Sequence, residues 1–279
     1  LQDKTGTLDA KIWEPSSMGI DDYDELDYIW VQGDITSFQG AYQLNIKRLR
    51  VAQEGEYIPA DYLPCSDKDV DVMYEELLGF IRTIKAPYMK QLLSGFFDDA
   101  EFAKRFKFHS AAKSVHHGYV GGLLEHTLGV TKNCDFYAQM YPMLNRDLLL
   151  TAAIFHDIGK LDEISPFPQN DYTDEGQLLG HIMIGAAKVQ ERINTIEGFP
   201  EVRARELIHC ILAHHGELEF GSPKKPAIAE AVALSFADNI DAKMETMKEA
   251  LGNVAEGNLK WQGFNRLFDS NIRKTSTED

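Results

Sequence analysis

An adjacent histidine and aspartate, His156 and Asp157, follow the mostly apolar run 148–155. Such a run is typical of a helix buried in a core, and two polar side chains at its end are costly to bury unless a partner satisfies them. A divalent ion would do so, because imidazole nitrogen and carboxylate oxygen both suit Zn, Mn, Fe, Co or Ni. The alternative is a capped helix end that bonds only to backbone, and the dipeptide alone favours that alternative.

Further ligand-type residues lie on other mostly apolar segments of the chain. A single histidine in such a place is usually a hydrogen-bonded core residue. When the same pattern recurs along the chain, one shared metal centre explains it better than several independent core residues. The residues concerned are His126, His181, His214, His215 and Asp238.

The spacing allows these residues to hold two ions. A helix turns ~100° per residue, so His156 and Asp157 can face one ion, which His126 and Asp238 could complete. The second oxygen of Asp157 could bridge to another ion. Two ions ~3.5–4 Å apart suit phosphodiester hydrolysis by a metal-activated water. The residues available for the second ion are His181, His214 and His215.

In this order, the set resembles the motif of the HD superfamily of metal phosphohydrolases, over roughly residues 109–245. The resemblance implies one group of ligands shared across the superfamily: His126, His156, Asp157 and Asp238. It implies a second group, present in two-metal members: His181, His214 and His215. With Asp157, we expect His215 and Lys160 to serve catalysis. His215 could contact substrate instead of metal, and Lys160 could contact phosphate or merely favour a helix C-terminus.

Other basic side chains are candidates for substrate contacts. Lys113 and His117 lie in the segment 111–118, before the first ligand helix. Lys224 and Lys225 lie in a proline-flanked loop and could line a nucleic-acid path. The alternative for both segments is an exposed loop without a function.

Residues 1–52 are predicted to form short strands, because apolar and polar residues alternate in 8–13, 28–35 and 42–49. The pattern resembles an OB-fold β-barrel that lacks its first strand. The chain does not begin with Met, so we expect its natural N-terminus to be missing. OB folds bind single strands through basic grooves and stacking aromatics. The candidates here are Lys11, Tyr42, Lys47 and Arg48.

The rest of the chain is predicted to be helical. We expect a linker over 53–68, an all-helical HD-type domain over 69–268, and a flexible tail over 269–279. Helical periodicity begins at 69. The fold class is therefore mostly α, with a small truncated β-barrel in front. Further helices are expected at about 87–94, 98–107, 118–141, 146–158, 178–196, 200–214 and 227–249.

Composition narrows the class of protein. Of the 279 residues, 44% are hydrophobic and 26% charged, as in soluble globular proteins. No apolar stretch approaches the ~18 residues of a membrane span. Three widely spaced cysteines indicate free thiols in the cytoplasm. The net charge of −16 argues against gripping nucleic acid by bulk electrostatics, so a local basic surface or a metal would be needed.

An OB module followed by an HD domain resembles the YhaM-type 3′→5′ exoribonucleases. That resemblance implies hydrolysis of single-stranded RNA, and of single-stranded DNA as a second substrate. It also implies one or two divalent ions, with Mn first and Co, Fe, Ni, Zn or Mg as alternatives. A homo-oligomer is also a candidate state.

Two other functions stay open. One is a phosphohydrolase of a small nucleotide, such as a cyclic dinucleotide or a dNTP. Cyclic-dinucleotide HD enzymes carry Gly-Tyr-Pro after the paired histidines, whereas residues 216–219 here are Gly-Glu-Leu-Glu. The other is a non-catalytic single-strand-binding protein with a structural HD domain.

Overall fold

The computed structural model describes residues 1–3, 6–24, 26–38, 41–58, 61–113, 118–252, 254 and 258–276. The chain forms two compact units. The first comprises Leu1–Cys65 with Phe167–Gln169, and the second comprises Ser66–Pro166 with Asn170–Asp279. No helix in these described ranges combines the length and the apolar character that a membrane span requires.

The first unit is built on a three-stranded sheet in the order β3–β5–β4, in which β5 runs parallel to β3 and antiparallel to β4. Its core consists of Leu44, Ile46 and Leu49 on β5. A bulge follows Gln32, and Gly33 is required there because a Cβ atom would lie 2.1 Å from the Asn45 carbonyl oxygen. The strands are β1 (Gln2–Asp3), β2 (Gly6–Thr7), β3 (Asp9–Lys11), β4 (Ile29–Phe38) and β5 (Ala41–Val51).

The second unit is helical apart from a terminal hairpin, whose second strand falls in the predicted tail. Together the two units confirm the expected fold class, a mostly α protein behind a small β module. The helices are α1 (Val70–Thr83), α2 (Pro87–Phe97), α3 (Ala100–Phe108), α4 (Gly122–Met140), α5 (Arg146–Phe155), α6 (Lys160–Glu163), α7 (Asp174–Asn194), α8 (Glu201–Leu212) and α9 (Ala229–Gly252). The hairpin strands are β6 (Phe264–Asn265) and β7 (Ser270–Asn271).

Side-chain caps explain where several helices begin. Asp69, Asp99, Asn145 and Thr173 each accept a hydrogen bond from a free backbone N–H in the first turn of α1, α3, α5 and α7. These residue types compete for backbone groups in helix interiors, so they favour such boundary positions. Two of these caps set where α5, which precedes His156 and Asp157, and α7, which carries His181, begin.

Several predicted helices are longer than the observed ones, and the helix expected to reach 214 ends at Leu212. The helix expected from 118 begins only at Gly122, because Gly121 adopts a left-handed conformation with φ 85°. The helix expected to reach 158 ends at Phe155, and the chain then turns into the short α6. This early end matters, because it places His156 and Asp157 beyond the last helical residue.

Helix α5 forms the centre of the second unit. All of its residues from Leu148 to Phe155 are buried, and it packs against α4, α8, α9 and α2. An apolar helix of this kind gains stability from burial on every side. Its C-terminal end therefore delivers the two following polar residues into the interior.

Candidate metal centre

Four polar side chains, from α4, from α9 and from the segment after α5, meet at the end of α5. His126 comes from α4, Asp238 from α9, and His156 and Asp157 follow α5. His126 Nε2 lies 3.1 Å from His156 Nε2, 3.3 Å from Asp157 Oδ2 and 3.2 Å from Asp238 Oδ1. His156 Nε2 lies 3.4 Å from Asp157 Oδ2 and 3.8 Å from Asp238 Oδ1. We refer to these four side chains as the first cluster.

A second cluster uses the other oxygen of Asp157. Asp157 Oδ1 lies 3.5 Å from His181 Nε2 and 3.6 Å from His214 Nε2. All three atoms are buried without a hydrogen-bond partner within the described ranges. His215 joins them, with its ring centroid 5.2 Å from that of His181 and 4.3 Å from that of His214. His181, His214 and His215 each offer a nitrogen within metal-ligand range of the others.

The geometry fits divalent ions. Atoms that bind one Zn-type ion at about 2.0–2.2 Å are about 3.0–3.6 Å apart from one another in tetrahedral or octahedral sites. The contacts in both clusters lie in or near this range. Buried polar atoms without partners are costly, and three of them converge on one point here. A cation between them would remove that cost.

The ring orientation of the histidines supports the same conclusion. His156 Nδ1 lies 2.7 Å from the Ala153 carbonyl oxygen, and His214 Nδ1 lies 2.7 Å from that of Ile211. His215 Nδ1 lies 2.8 Å from the Phe220 carbonyl oxygen. A carbonyl oxygen can only accept, so Nδ1 carries the proton and the lone pair lies on Nε2. In the neutral state, each Nε2 is therefore a metal-ligand atom.

Two further carboxylates hold the remaining histidines, and the sequence analysis did not identify either of them. His126 Nδ1 lies 2.7 Å from Asp241 Oδ2, and His181 Nδ1 lies 3.0 Å from Glu163 Oε1. Asp241 follows Asp238 by three residues on α9, and that spacing places both on one helix face. This signal was present in the sequence. Glu163 has no such signal, because its contact with His181 depends on how α6 packs on α7.

Two glycines shape the backbone around His181. Gly180 has φ 72° and ψ 154° inside α7, a conformation essentially confined to glycine. The resulting kink frees the His181 backbone N–H, which donates to Glu163 Oε1 at 2.9 Å. Gly159 packs so closely that a Cβ atom there would lie 2.0 Å from the His181 carbonyl oxygen. The kink and the close packing bring His181 to Asp157.

Lys160 places a cation in direct contact with the first cluster. Its Nζ lies 2.7 Å from Asp157 Oδ2, and its side chain is 17% exposed. Burial by itself lowers the pKa of Lys160, but the Asp157 carboxylate outweighs that effect and raises the pKa. Lys160 therefore stays charged at neutral pH, and its exposed portion leaves it accessible from solvent.

The acids of the clusters are held in the ionised state. Burial raises the pKa of Asp157, but the charge of Lys160 and the contacts with His156 and His126 bring it well below its usual value. The pKa of Asp238 is likewise lowered, because contacts with His126 outweigh the cost of burial. Ionised carboxylates and neutral imidazoles are the forms that bind metal ions.

The other predicted substrate contacts lie outside these clusters. Lys113 forms an exposed ion pair with Asp171 at 2.6 Å, and Lys225 pairs with Glu217 at 2.5 Å. Lys224 is exposed on the same loop. Neither of these partner carboxylates, Asp171 or Glu217, belongs to the two clusters. His117 lies outside the described residues.

The basic residues predicted in the first unit lie on or beside its sheet. Lys11 lies 5.6 Å from the ring centre of Trp13, and Lys47 pairs with Asp34. Arg48 and Tyr42 are exposed on β5. The OB-fold assignment stays a prediction.

Comparisons with known proteins agree with this geometry. A family model described as "HD domain" matches residues 123–243. The 3′-5′ exoribonuclease YhaM of Geobacillus sp. (strain WCH70) is 34% identical over 258 residues, which cover 92% of this chain and 79% of that relative. No solved structure matches the chain.

Proposed function

The chain belongs to the family of HD-domain proteins that includes YhaM-type exoribonucleases, and from that premise we propose that it is a metal-dependent 3′→5′ exoribonuclease. Its substrate is single-stranded RNA, with single-stranded DNA as a second substrate. One observation carries the proposal: three buried atoms without hydrogen-bond partners converge beside a four-residue cluster of metal-ligand atoms.

We assign the ligands from the two clusters. The first ion would be held by His126, His156, Asp238 and Oδ2 of Asp157. The second would be held by Oδ1 of the same aspartate together with His181, His214 and His215. Mn is the proposed native metal, because mixed nitrogen and oxygen ligands suit it. When bound, such ions polarise the phosphodiester group and lower the pKa of water enough for hydrolysis near neutral pH.

The protein's own groups have separate tasks in this reaction. Asp157 offers one oxygen to each cluster and would therefore be a ligand of both ions. Lys160 would contact a phosphate oxygen and offset charge that develops there, since it stays cationic beside Asp157. His215, whose side chain is partly exposed, would contact either the second ion or the substrate. The apolar burial of α5 excludes water behind the centre.

The first unit offers a surface for the single strand. The pairing of β4 with β5 places Trp30 beside Arg50, whose guanidinium lies 5.6 Å from the indole centre. Trp13 is 71% exposed and lies near Lys11. Indoles next to cations can stack on bases without reading their sequence. A cavity of about 240 Å³ adjoins this surface, lined by further aromatics: Tyr28, Tyr57 and Tyr62.

The two alternatives are less well supported. If the substrate were a small nucleotide, the aromatic and basic surface of the first unit would have no role. A purely structural HD domain does not account for the buried atoms of Asp157, His181 and His214 that lack partners. We also propose a cytoplasmic location, consistent with Cys65, Cys134 and Cys210, which form no disulfide in the part of the chain that the structure describes. We propose a homo-oligomer as the assembly to be tested.

The proposal is tested with end-labelled RNA and Mn²⁺. We expect a 3′ label to be released as a mononucleotide and a 5′ label to yield a ladder of shortened strands. Asp157→Ala should abolish both, because it removes a ligand from each ion, whereas Glu191→Ala on the exposed face of α7 should act as wild type. Failure of wild type to shorten RNA with Mn²⁺ would overturn the proposal. Faster hydrolysis of a cyclic dinucleotide would favour the small-nucleotide alternative.

A further inference from the structure

We propose that Asp241 and Glu163 are positioning residues that set the affinities of the two ions separately, Asp241 through His126 and Glu163 through His181. Neither carboxylate belongs to the ligand set assigned above. The inference rests on the proposed two-ion centre and adds to it a division of labour between the sites.

Asp241 is built into the contact between α4 and α9. Its Oδ2 lies 2.7 Å from His126 Nδ1, and its side chain is 18% exposed. The space for this carboxylate exists because residue 129 on α4 is glycine. A Cβ atom at Gly129 would lie 2.1 Å from Asp241 Oδ1. The helix that carries His126 is thus shaped to receive the group that orients it.

Glu163 contacts His181 at both its backbone and its ring. Its Oε1 accepts from the His181 backbone N–H at 2.9 Å and lies 3.0 Å from the ring Nδ1. The first of these bonds exists because the kink at Gly180 takes that N–H out of the helical pattern. Close packing also holds the Glu163 backbone, since a Cβ atom at Gly176 would lie 2.2 Å from the Glu163 carbonyl oxygen.

The two clusters share one plan. In each, a main-chain carbonyl orients at least one histidine, namely His156 in the first and both His214 and His215 in the second. In each, another histidine is oriented by a carboxylate. A carboxylate makes the ring more basic than a carbonyl does and so strengthens the bond from Nε2 to a metal. Each ion would therefore have one ligand histidine whose ring is held by a carboxylate. We expect that carboxylate to determine how tightly the ion binds.

Charge makes the two sites unequal. The first cluster contains two carboxylates, Asp157 and Asp238, whereas the second shares only Asp157. An ion with more anionic ligands is held more tightly in a buried site. We therefore infer that the first cluster fills first, and that Glu163 governs the second, weaker ion.

The test is calorimetric titration of the 279-residue chain with Mn²⁺, without RNA, after a chelator has removed bound metal. The wild type should bind ions in two classes. Asp241→Asn should weaken the tighter class about 10–100-fold and leave the other unchanged. Glu163→Gln should weaken the looser class by a similar factor. Both amides still accept the hydrogen bond, so the fold is kept. Gly129→Ala should reproduce the effect of Asp241→Asn, because its methyl group displaces the Asp241 carboxylate.

Two further measurements make the result decisive. Glu249→Gln, on α9 two turns beyond Asp241, removes one charge from the same helix and should change neither class. In a Co²⁺ titration followed by the visible d–d spectrum, Asp241→Asn and Glu163→Gln should alter different binding steps. A general loss of stability would not produce such a difference. If Asp241→Asn does not fold, Asp241→Ser replaces it.

Variants that weaken the same class, or neither class, would overturn the inference. The proposed function is judged apart from this, since it fails only if the wild type with its ions bound releases no nucleotide.

Discussion

At the scale of single residues, Asp157 has the most demanding role. It is buried, uses both carboxylate oxygens, and also contacts Lys160. A buried carboxylate needs several charged or hydrogen-bonding partners to stay ionised. Here those partners are Lys160 and the histidines, so removal of any one changes the electrostatics of the whole centre.

Lys160 provides a direct test of charge at the centre. We expect Lys160→Ala to lower kcat for RNA about 10²-fold, because one cation that stabilises developing phosphate charge is lost. Lys160→Arg should recover part of the rate. Steady-state hydrolysis of RNA and of bis(p-nitrophenyl) phosphate measures both. Lys132→Ala, which breaks an exposed ion pair with Glu76, should leave kcat unchanged. A Lys160→Ala rate within twofold of wild type would contradict the assigned contact.

The ion pairs of Asp162 should make the free energy of unfolding depend on pH. It pairs with Lys188 and, at 2.9 Å, with Arg105. Burial raises its pKa, but the two cations outweigh this and lower it below 3.8. The stabilisation is therefore complete above about pH 4 and is lost as pH falls through the folded-state pKa. Asp162→Asn should reduce the free energy of unfolding by about 1–3 kcal/mol at pH 7.

Denaturant unfolding across pH 2.5–7 checks this dependence. The difference between Asp162→Asn and wild type should narrow as the pH falls below about 4. Lys188→Met removes the partner charge and should show the same narrowing. A constant difference over the whole range would show that Asp162 acts through packing and not through its charge.

At the scale of elements, the centre depends on how helices end and bend. Helix α5 ends early at Phe155, and α7 bends at Gly180. In a straight α7, the His181 backbone N–H would form the regular helical hydrogen bond and could not donate to Glu163. At both places, irregular backbone presents a candidate ligand.

Gly180→Ala tests the bend in α7. The alanine would have to hold φ 72°, which should reduce the free energy of unfolding by about 1–3 kcal/mol. Denaturant unfolding in chelator measures this effect apart from metal binding. Gly79→Ala in α1 is the matched control, because a Cβ atom at this helical position would meet only the end of the Arg82 side chain, at 4.0 Å. It should raise the free energy of unfolding by up to about 1 kcal/mol. Equal stability of Gly180→Ala and wild type would exclude strain at the bend.

At the scale of the whole molecule, a net charge of −16 would repel an anionic substrate such as RNA. Binding therefore requires local positive charge. The first unit carries Lys11, Arg48 and Arg50 on or next to its sheet. In the second unit, bound ions would supply the positive charge that the clusters lack. Screening by salt should weaken RNA binding less than it does for proteins that bind through many phosphate contacts.

Metal binding should stabilise the helical unit as a whole. An ion that binds only the folded state adds about 2.7 kcal/mol at 100 times its Kd. For a unit of this size that corresponds to a rise in Tm of about 5–10 °C. Differential scanning calorimetry with and without Mn²⁺ measures it, and Asp157→Ala should abolish the shift. If Mn²⁺ does not change the Tm of the wild type, that result would argue against ions at the buried clusters.

The sequence alone was sufficient for the fold class and for the candidate ligand set. Apolar periodicity predicts helices, alternation predicts strands, and polar ligand types at the ends of apolar runs stand out because burial without partners is costly. These are local properties of the chain. They place His126, His156, Asp157 and the other candidates on defined segments before any contact is known.

Only the tertiary structure decided which atoms meet. Asp241 and Glu163 reach histidines 115 and 18 residues away, and the kink at Gly180 exists because a folded partner accepts the freed N–H. The ring orientation of each histidine depends on carbonyl and carboxylate groups placed by packing. Such contacts join residues that local patterns treat independently, so they arise only when the helices have packed.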